Sequence, residues 1–467
     1  MNKTSTHQKK YFTPLWSLLL SLGLYGFLLL PFFKEVSIIL PSEHFYIVSL
    51  TSLIAAGVSY AMGVSGIRLR NLQVLFVALG FVSLTIFFSL HGLSTPGFLL
   101  GINPVVSVSV QISFLLLAIF LWLSTLPSDN KYLAALAKYN RLLLSSWTIL
   151  LILLSLLFFF RNDLILWVPL NSTPLNWIVA LLTISLTLSA SQRYWRAYRY
   201  THFSLQLGLS HATSLLAATQ LIASTGTLWH ISWWLYHFLL LGAVSLTVYS
   251  LISQYSFGGT LNLALQGLFT EDPTERIMAG ISPKVEALII AAEAHDSYTA
   301  GHARRVALGA IRLGEKAGLS PEDLHALAQG SLLHDIGKIS VPNEILNKPG
   351  TFTLEERRQM EKHTLYGYEM CKKLGFMESE LELVRWHHER INGRGYPDAL
   401  SADEIPEMAK LLAVVDVYDA LTSDRAYREA LSHHQAIQHL DAFSSFALDK
   451  EYVECWKELI GPDGKNY

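Results

Sequence analysis

The chain has 467 residues, of which 51% are hydrophobic and 15% charged, and its formal charge is −2. This near-neutral total hides a split, because residues 1–253 hold 13 Lys and Arg against 4 Asp and Glu, whereas residues 254–467 hold 22 against 33. The two parts therefore carry local charges of +9 and −11. Only two cysteines occur, both in the second part, which excludes a disulfide framework and a cysteine-based metal site.

The first part contains long apolar runs with basic residues between them and tryptophans near their ends. This pattern is typical of a membrane domain. Eight runs have the roughly 17–25 residues that a helix needs to cross the hydrocarbon core of a bilayer. They cover about residues 12–33, 44–67, 71–91, 100–126, 142–160, 175–191, 203–225 and 229–253. The first run lacks a small-residue cleavage pattern and is followed by further spans, so we expect a retained helix rather than a signal peptide.

The basic residues between these runs predict their orientation, because Lys and Arg stay preferentially on the cytoplasmic side. With the N-terminus inside, the inner segments carry eleven basic residues and the outer segments carry only Lys34 and Arg161. An even number of spans returns the chain to the cytoplasm near residue 254. We therefore expect a multi-pass protein of the cytoplasmic membrane, with its N-terminus and its C-terminal domain both in the cytoplasm.

After residue 253 the composition becomes that of a soluble protein. Residues 254–284 mix glycine pairs, an acidic turn with proline and short apolar stretches, which indicates a linker. Further along, apolar residues recur at three- and four-residue spacing, and β-alternation is absent. We therefore expect an all-α protein in three parts: a polytopic transmembrane domain of about eight spans over residues 1–253, a linker over 254–284 and a helical domain over 285–467.

Ten of the seventeen histidines lie in the second part, and their spacing indicates a metal site. The residues concerned are, in order, His302, His334, Asp335, His363, His387, His388 and Asp416. Each gap is about one helix with its connection, so ligands from different helices can converge on the interior of a bundle. Adjacent residues on a helix point roughly 100° apart, so one can bind a metal while an adjacent carboxylate bridges to a second. Imidazole and carboxylate suit Fe, Mn, Co, Ni or Zn.

Four strings of this part form a recognisable pattern: YTAGHARRV, LLHDIGKISVPNEILNKPG, HHERINGRGYP and DVYDALTSDRAYRE. In order and spacing they resemble the HD-GYP family, a branch of the HD superfamily of metal-dependent phosphohydrolases, over about residues 285–440. HD-GYP proteins are bacterial phosphodiesterases that hydrolyse the second messenger cyclic di-GMP to a linear dinucleotide and, in some members, to GMP. The resemblance implies a cyclic di-GMP phosphodiesterase of the bacterial inner membrane, regulated in signal transduction by its membrane domain.

The resemblance also implies roles for individual residues. One metal would be held by His302, His334, Asp335 and Asp416, and a second by Asp335, His363, His387 and His388. A hydroxide between the metals would be the nucleophile, because two Lewis acids lower the pKa of bound water from about 15.7 toward about 7. The phosphodiester gains negative charge in the transition state and needs compensating cations. We therefore assign catalysis to Asp335 and Lys338, and substrate binding to Lys338, Tyr396, Arg425 and Arg428.

The number of metals follows from one difference between this chain and part of the family. Members with a third metal carry Glu where Tyr298 stands, and a phenol is a poor ligand there. We therefore expect two divalent ions, with iron or manganese ahead of cobalt, nickel and zinc. The expected partners are cyclic di-GMP or a related cyclic dinucleotide and a lipid bilayer. A homodimer is left open, and no DNA or RNA polymer is expected.

A second class of function stays open beside the enzyme. A catalytically weak HD-GYP domain would act as a receptor or interaction module that binds a cyclic dinucleotide or a signalling partner. Retention of every two-metal ligand and of Tyr396 favours the enzyme, whereas the missing third-metal glutamate leaves room for the receptor.

The remaining histidines have simpler interpretations. His295 and Asp296 form a second His-Asp pair that we interpret as structural. A solvated helical face explains His433, His434 and His439. In the membrane runs, packing roles are expected ahead of ligand or haem sensing for His211, His230 and His237.

The predicted topology is tested with reporter fusions. Fusions after about residue 96 and residue 170 should report the outside, and fusions after residue 135 and residue 197 the cytoplasm. A C-terminal domain found outside would rule out an intracellular nucleotide substrate.

Overall fold

Helices form at every apolar run predicted from the sequence. The computed structural model describes residues 13–99, 103–126, 139–170, 172–258, 274, 277–278, 280–281, 283–295, 301–348, 350–423, 429–444, 446–462 and 464. Apart from two isolated bridges, these residues contain no β-strand, so the all-α class is confirmed. The chain divides into two compact units, Met1–Glu271 and Asp272–Tyr467. Most of the predicted linker, residues 254–284, lies outside the described residues.

The described part of the first unit contains nine α-helices. They are α1 (Pro14–Leu28), α2 (Pro31–Lys34), α3 (Pro41–Leu69), α4 (Leu72–Leu93), α5 (Val105–Leu123), α6 (Asn140–Phe160), α7 (Leu175–Thr201), α8 (Ser204–Thr225) and α9 (Ile231–Gly258). A 3-10 helix, Asn162–Trp167, follows α6. Six of these helices, α3 to α7 and α9, are long and apolar enough to cross a membrane.

The predicted count of eight spans is therefore approximate. The two further runs also form helices, but α1 has only 15 residues. Helix α8 is long enough at 22 residues, yet serine, threonine, glutamine and histidine interrupt its apolar sequence. Helix α1 is therefore too short, and helix α8 too polar, to count as a clear membrane span.

Helix α6 turns large apolar side chains outwards, whereas α7 and α8 meet through buried small polar side chains. On α6, Leu142 and Leu153 are 66% and 60% exposed. Between α7 and α8, the buried Ser191 hydroxyl bonds the carbonyl of Ser210 and the hydroxyl of Ser214. Helices in lipid associate through such close packing and hydrogen bonds, because lipid tails already solvate their apolar surfaces.

The second unit is built from ten described α-helices. They are α10 (Pro283–His295), α11 (His302–Lys316), α12 (Pro321–Leu333), α13 (Asn343–Leu346), α14 (Leu354–Glu361), α15 (His363–Lys373), α16 (Glu378–Trp386), α17 (Glu407–Thr422), α18 (His433–Ser444) and α19 (Lys450–Ile460). Their apolar faces form two clusters, one around Leu412 and the fully buried Trp456, the other around Leu333 and Ile336.

Helix α12 and the turn after it fix the position of the His-Asp pair. The side chain of Ser320 caps the start of α12 by accepting from the amide of Asp323, and Pro321 is the first helical residue. After Leu333 the chain tightens into a 3-10 helix, Ile336–Ser340. A Cβ atom on Gly337 would overlap the carbonyl of His363, so a glycine is needed for this turn to pack against the start of α15.

The packing of α19 generates a stability prediction. Trp456 is fully buried, and its ring lies 5.4 Å from that of Tyr418. Replacing Trp456 with Ala should lower the free energy of unfolding of this unit by about 3–5 kcal/mol, because it removes a large core side chain and leaves a cavity. Hydrogen exchange of the α11 and α17 amides measures this loss.

Phe446→Ala is the matched control for Trp456→Ala. Its side chain is 50% exposed, so its removal should change the exchange of the same amides little. Equal exchange in the two variants would contradict the assignment of Trp456 to the core.

Candidate metal centre

The carboxylate of Asp335 lies between two clusters of potential metal ligands. Its Oδ2 atom faces His334 at 3.4 Å and His302 at 3.9 Å. Its Oδ1 atom faces His363 at 3.4 Å and His387 at 4.0 Å. Each oxygen therefore points to a different pair of imidazole nitrogens, the arrangement that a bridging carboxylate needs.

The first cluster joins side chains from three helices. His302 is the first residue of α11, His334 follows the last residue of α12, and Asp416 lies within α17. The Nε2 atom of His302 is 3.3 Å from Asp416 Oδ1, and that of His334 is 3.8 Å from the same oxygen. With Asp335 these residues offer two nitrogens and two carboxylates to one ion.

The second cluster joins α15 to the end of α16. His363 begins α15, and His387 and His388 directly follow the last residue of α16. The Nε2 atoms of His363 and His387 are 3.4 Å apart, and the rings of His387 and His388 have centroids 4.1 Å apart. A single ion can be reached by a ligand atom from each of these three histidines and from Asp335.

Backbone carbonyls set the tautomers of these histidines. The Nδ1 atom of His334 is 2.6 Å from the carbonyl of Ser331, and that of His363 is 2.8 Å from the carbonyl of Met360. A carbonyl only accepts, so each Nδ1 donates and each Nε2 keeps its lone pair for the centre. Among the described residues, His334 Nε2 and Asp335 Oδ1 are buried without a hydrogen-bond partner. Orphaned acceptors of this kind fit divalent metal ions.

The protonation states also suit metal binding. Burial by itself would raise the pKa of Asp335, but the charge of Lys338 and the imidazole of His334 hold that pKa well below its usual range. Burial, followed by the neighbouring imidazoles of His334 and His363, lowers the pKa of His387 to about 3. Near neutral pH the carboxylate is ionised and His387 is neutral, which are the forms that bind metals.

Two residues that the sequence analysis missed support His302. Asp419 accepts from His302 Nδ1 at 2.7 Å, and Arg305 donates to Asp419 at 2.7 Å. Burial by itself would lower the pKa of His302, but hydrogen bonds to Asp416 and Asp419 raise it to about 9. A cation bound here would take the place of the proton of His302. The sequence signal was the three-residue spacing of Asp416 and Asp419, which puts both carboxylates on one face of α17.

The loop that carries Tyr396 is held by a further residue that the sequence analysis missed. Both carboxylate oxygens of the buried Glu389 accept from backbone amides of this loop, from Asp398 at 2.7 Å and from Leu400 at 3.0 Å. A Cβ atom on Gly395 would overlap the backbone of Glu389, so the loop packs closely there only with glycine. The ring of Tyr396 thereby lies 4.7 Å from the ring of His388, beside the second cluster.

The predicted cationic residues are only partly placed. Lys338 lies on the 3-10 helix, and its ammonium group donates to Asp335 Oδ2 at 2.7 Å. Arg425 and Arg428 fall outside the described residues, as does Tyr298, so their predicted roles stay predictions. The structure thus brings together all seven predicted metal ligands, with Lys338 and Tyr396 beside them.

Comparison with known proteins identifies the type of domain that carries this site. The family model described as HD domain matches residues 286–451. The 3'3'-cGAMP-specific phosphodiesterase 2 of Vibrio cholerae is 35% identical over 176 residues, 36% of this chain and 34% of that protein. The cyclic di-GMP phosphodiesterase response regulator RpfG of Xanthomonas campestris is 36% identical over 166 residues, 35% of this chain and 44% of that protein.

A third relative, the cyclic di-GMP phosphodiesterase of Thermotoga maritima, is 33% identical over 177 residues, 38% of this chain and 48% of that protein. The chain thus spans about a third to a half of the length of these relatives. The matched region defines an HD domain. The resemblance to the HD-GYP family that the four strings carry is confirmed over this domain.

The shared carboxylate predicts a difference between two variants. Replacing Asp335 with Ala should remove both bound ions, because each cluster loses one ligand. Replacing Asp419 with Asn should weaken only the ion beside His302, by about 10–100-fold, because His302 loses the carboxylate that orients it. Metal titration with elemental analysis distinguishes the two patterns. Two tightly bound ions per chain in the Asp335 variant would show that this carboxylate is not shared.

Proposed function

We propose that this chain is a membrane-bound, metal-dependent phosphodiesterase that hydrolyses a cyclic dinucleotide, with cyclic di-GMP as the first candidate. The observation that carries the proposal is the position of Asp335, whose two oxygens face two separate ligand clusters. Two ions that share a carboxylate form the standard arrangement for hydrolysis of phosphate esters. The activity of the named relatives supports the same reaction class.

We assign one divalent ion to each cluster. The first ion would bind His302, His334, Asp335 and Asp416, and the second would bind Asp335, His363, His387 and His388. Bound together, two such ions supply Lewis acidity toward a phosphodiester and lower the pKa of water. Oxygen and nitrogen donors without thiolate favour iron or manganese, with cobalt, nickel and zinc as alternatives.

The protein supplies positioning and charge around this centre. Tyr396 presents its ring beside His388, where it can contact a nucleotide whose phosphate lies at the centre. Lys338 places a cation next to Asp335, where it can turn to a phosphate oxygen as negative charge develops. Arg425 and Arg428 follow α17 in the sequence, and we assign them to the phosphates on charge alone.

A second substrate, 3'3'-cGAMP, is also compatible with this class of site. Relatives of nearly equal identity are named for cyclic di-GMP and for 3'3'-cGAMP, at 36% and 35%. The two nucleotides share the same cyclic phosphodiester backbone and differ in one base, so the metal centre alone does not discriminate between them. Hydrolysis would open the ring to a linear dinucleotide, and a second cut would give mononucleotides.

We infer a cytoplasmic position for the HD domain and a regulatory role for the first unit. Six helices that are long and apolar enough to span a bilayer precede the domain. The excess of basic residues in the predicted inner segments supports an N-terminus and an HD domain on the cytoplasmic side. Cyclic dinucleotides are made inside cells, so the active site must face that compartment.

Turnover measurements on the purified full chain test the function. After loading with iron or manganese under anaerobic conditions, the protein should hydrolyse cyclic di-GMP, 3'3'-cGAMP or both. Full metal occupancy and nucleotide binding without hydrolysis would instead show a receptor.

Variants that remove a positive charge test the assigned substrate contacts. Lys338→Ala and Arg425→Ala should each lower turnover by roughly 10- to 100-fold, because a phosphate contact in a partly enclosed site contributes about 1.5–3 kcal/mol. Metal content should stay unchanged, because neither cation is a metal ligand. Lys372→Ala, which removes an exposed lysine of α15, is the matched control and should keep full turnover. Normal turnover in the Lys338 and Arg425 variants would show that the substrate site is misplaced.

A further inference from the structure

Three histidines that are distant in the sequence meet inside the first unit. His44 lies near the start of α3, His91 near the end of α4 and His237 near the start of α9. All three are buried, with at most 2% of each residue exposed. We call these residues the histidine triad. His230, seven residues before His237, is not part of it, and its Nδ1 atom faces the carbonyl of Leu228.

The ligand atoms of the histidine triad converge on one point. The Nε2 atom of His44 is 2.8 Å from that of His237 and 3.1 Å from that of His91. Three imidazole nitrogens at roughly 2.0 Å from one tetrahedral ion would be about 3.3 Å apart. The observed distances therefore need to open by only a few tenths of an ångström to admit an ion.

Hydrogen bonds on the far side of two rings fix their tautomers. The Thr95 hydroxyl donates its single proton to the carbonyl of Gly92 at 2.6 Å, so it must accept from His44 Nδ1, which is 2.8 Å away. His91 Nδ1 donates to the carbonyl of Val106 at 2.6 Å. In their neutral forms, His44 and His91 therefore turn unprotonated Nε2 atoms toward each other.

Two lone pairs that face each other at 3.1 Å repel unless each accepts a proton or a cation lies between them. Without an ion, the donors that the structure shows at this point are one proton of His237, 2.8 Å from His44 Nε2, and the Tyr236 hydroxyl, 3.3 Å from His91 Nε2. One cation would instead bind the lone pairs of all three imidazoles at a single point. We propose that His44, His91 and His237 form a binding site for one transition-metal ion that prefers imidazole ligands, either zinc or copper.

Aromatic rings hold the histidine triad in this geometry. Trp233 stacks on His44 with centroids 5.2 Å apart, and Phe88 stacks on His91 at the same distance. Tyr236 stacks on the neighbouring His237 at 3.8 Å. Ring orientation is thus set before an ion arrives, which lowers the entropy cost of binding.

A cavity borders the histidine triad at His91. It has a volume of about 230 Å³, and His91, Trp233 and Tyr236 form part of its wall. Its polar lining includes Ser107, Gln111 and Asn176, which suit a hydrated ion or a small polar ligand. Because only three nitrogens converge, a tetrahedral ion would keep a fourth coordination position for water or another small ligand.

The types of ligand distinguish the histidine triad from the metal centre at Asp335. The triad offers three imidazoles, and the carboxylate of the adjacent Glu43 is exposed and accepts from Ser42 instead. Sites made only of imidazole suit zinc and copper, whereas carboxylate-rich sites suit harder ions such as manganese. The histidine triad should therefore favour zinc or copper, whereas the carboxylates of the Asp335 centre also admit harder ions such as manganese.

Cobalt is the probe for this site, because tetrahedral coordination by imidazoles gives it intense visible absorption bands. The full chain is purified in detergent, loaded with Co²⁺ and compared with His91→Gln and His237→Gln, by elemental analysis and visible spectroscopy on the same samples. Each variant should lose one equivalent of metal together with the tetrahedral bands. His230→Gln is the matched control and should keep both.

A second pair of variants covers the case in which the glutamine variants fail to fold. Thr95→Val removes the acceptor that orients His44, and Thr95→Ser keeps it. The valine variant should bind Co²⁺ about 10–100-fold more weakly, as expected when the group that orients a metal-bound histidine is lost, and the serine variant should bind normally.

Two results would overturn the proposal. One is a wild-type chain without tetrahedral cobalt bands, and the other is equal metal content and equal spectra in wild type, His91→Gln and His237→Gln. Either would show that the triad is a hydrogen-bonded packing cluster only. Neither result bears on the phosphodiesterase proposal, because the Asp335 centre is measured by turnover and by its own metal loss in the Asp335 variant.

Discussion

A single carboxylate, that of Asp335, organises the C-terminal domain. Asp335 places one oxygen toward His302 and His334 and the other toward His363 and His387, so that helices from both core clusters meet at one group. In a low-dielectric interior, an ionised carboxylate is stable only with cations nearby. Lys338 provides one such charge, and metal ions at the two clusters would provide the rest.

The fold brings the two clusters together through close backbone contacts. Helix α12 ends just before His334, and the tighter 3-10 turn that follows directs neighbouring side chains to different ligand sets. Gly337 lets this turn lie against the backbone of α15, and Gly395 lets the Tyr396 loop lie against the segment after α16. Small residues are therefore required where the second cluster and its adjoining loop are assembled, even though they bind nothing themselves.

Sequence patterns predicted the candidate ligands because six of the seven lie in the four recognisable strings and His363 lies at a helix-length spacing between them. They did not predict the contacts of Asp419 with His302 and Arg305, which join α11 to α17 across more than 110 residues. The histidine triad was missed for the same reason, since no spacing rule connects His44, His91 and His237. The number of spans stayed approximate because α1 is short and α8 is polar, and neither length nor composition alone decides such helices.

Anomalous diffraction from crystals of the metal-loaded protein tests the central claim most directly. Data collected at the absorption edge of the bound metal should show two peaks flanking the Asp335 carboxylate. One peak should lie within bonding distance of His302, His334 and Asp416, and the other of His363, His387 and His388. A single peak, or a pair of peaks of which only one contacts Asp335, would contradict the shared-carboxylate centre.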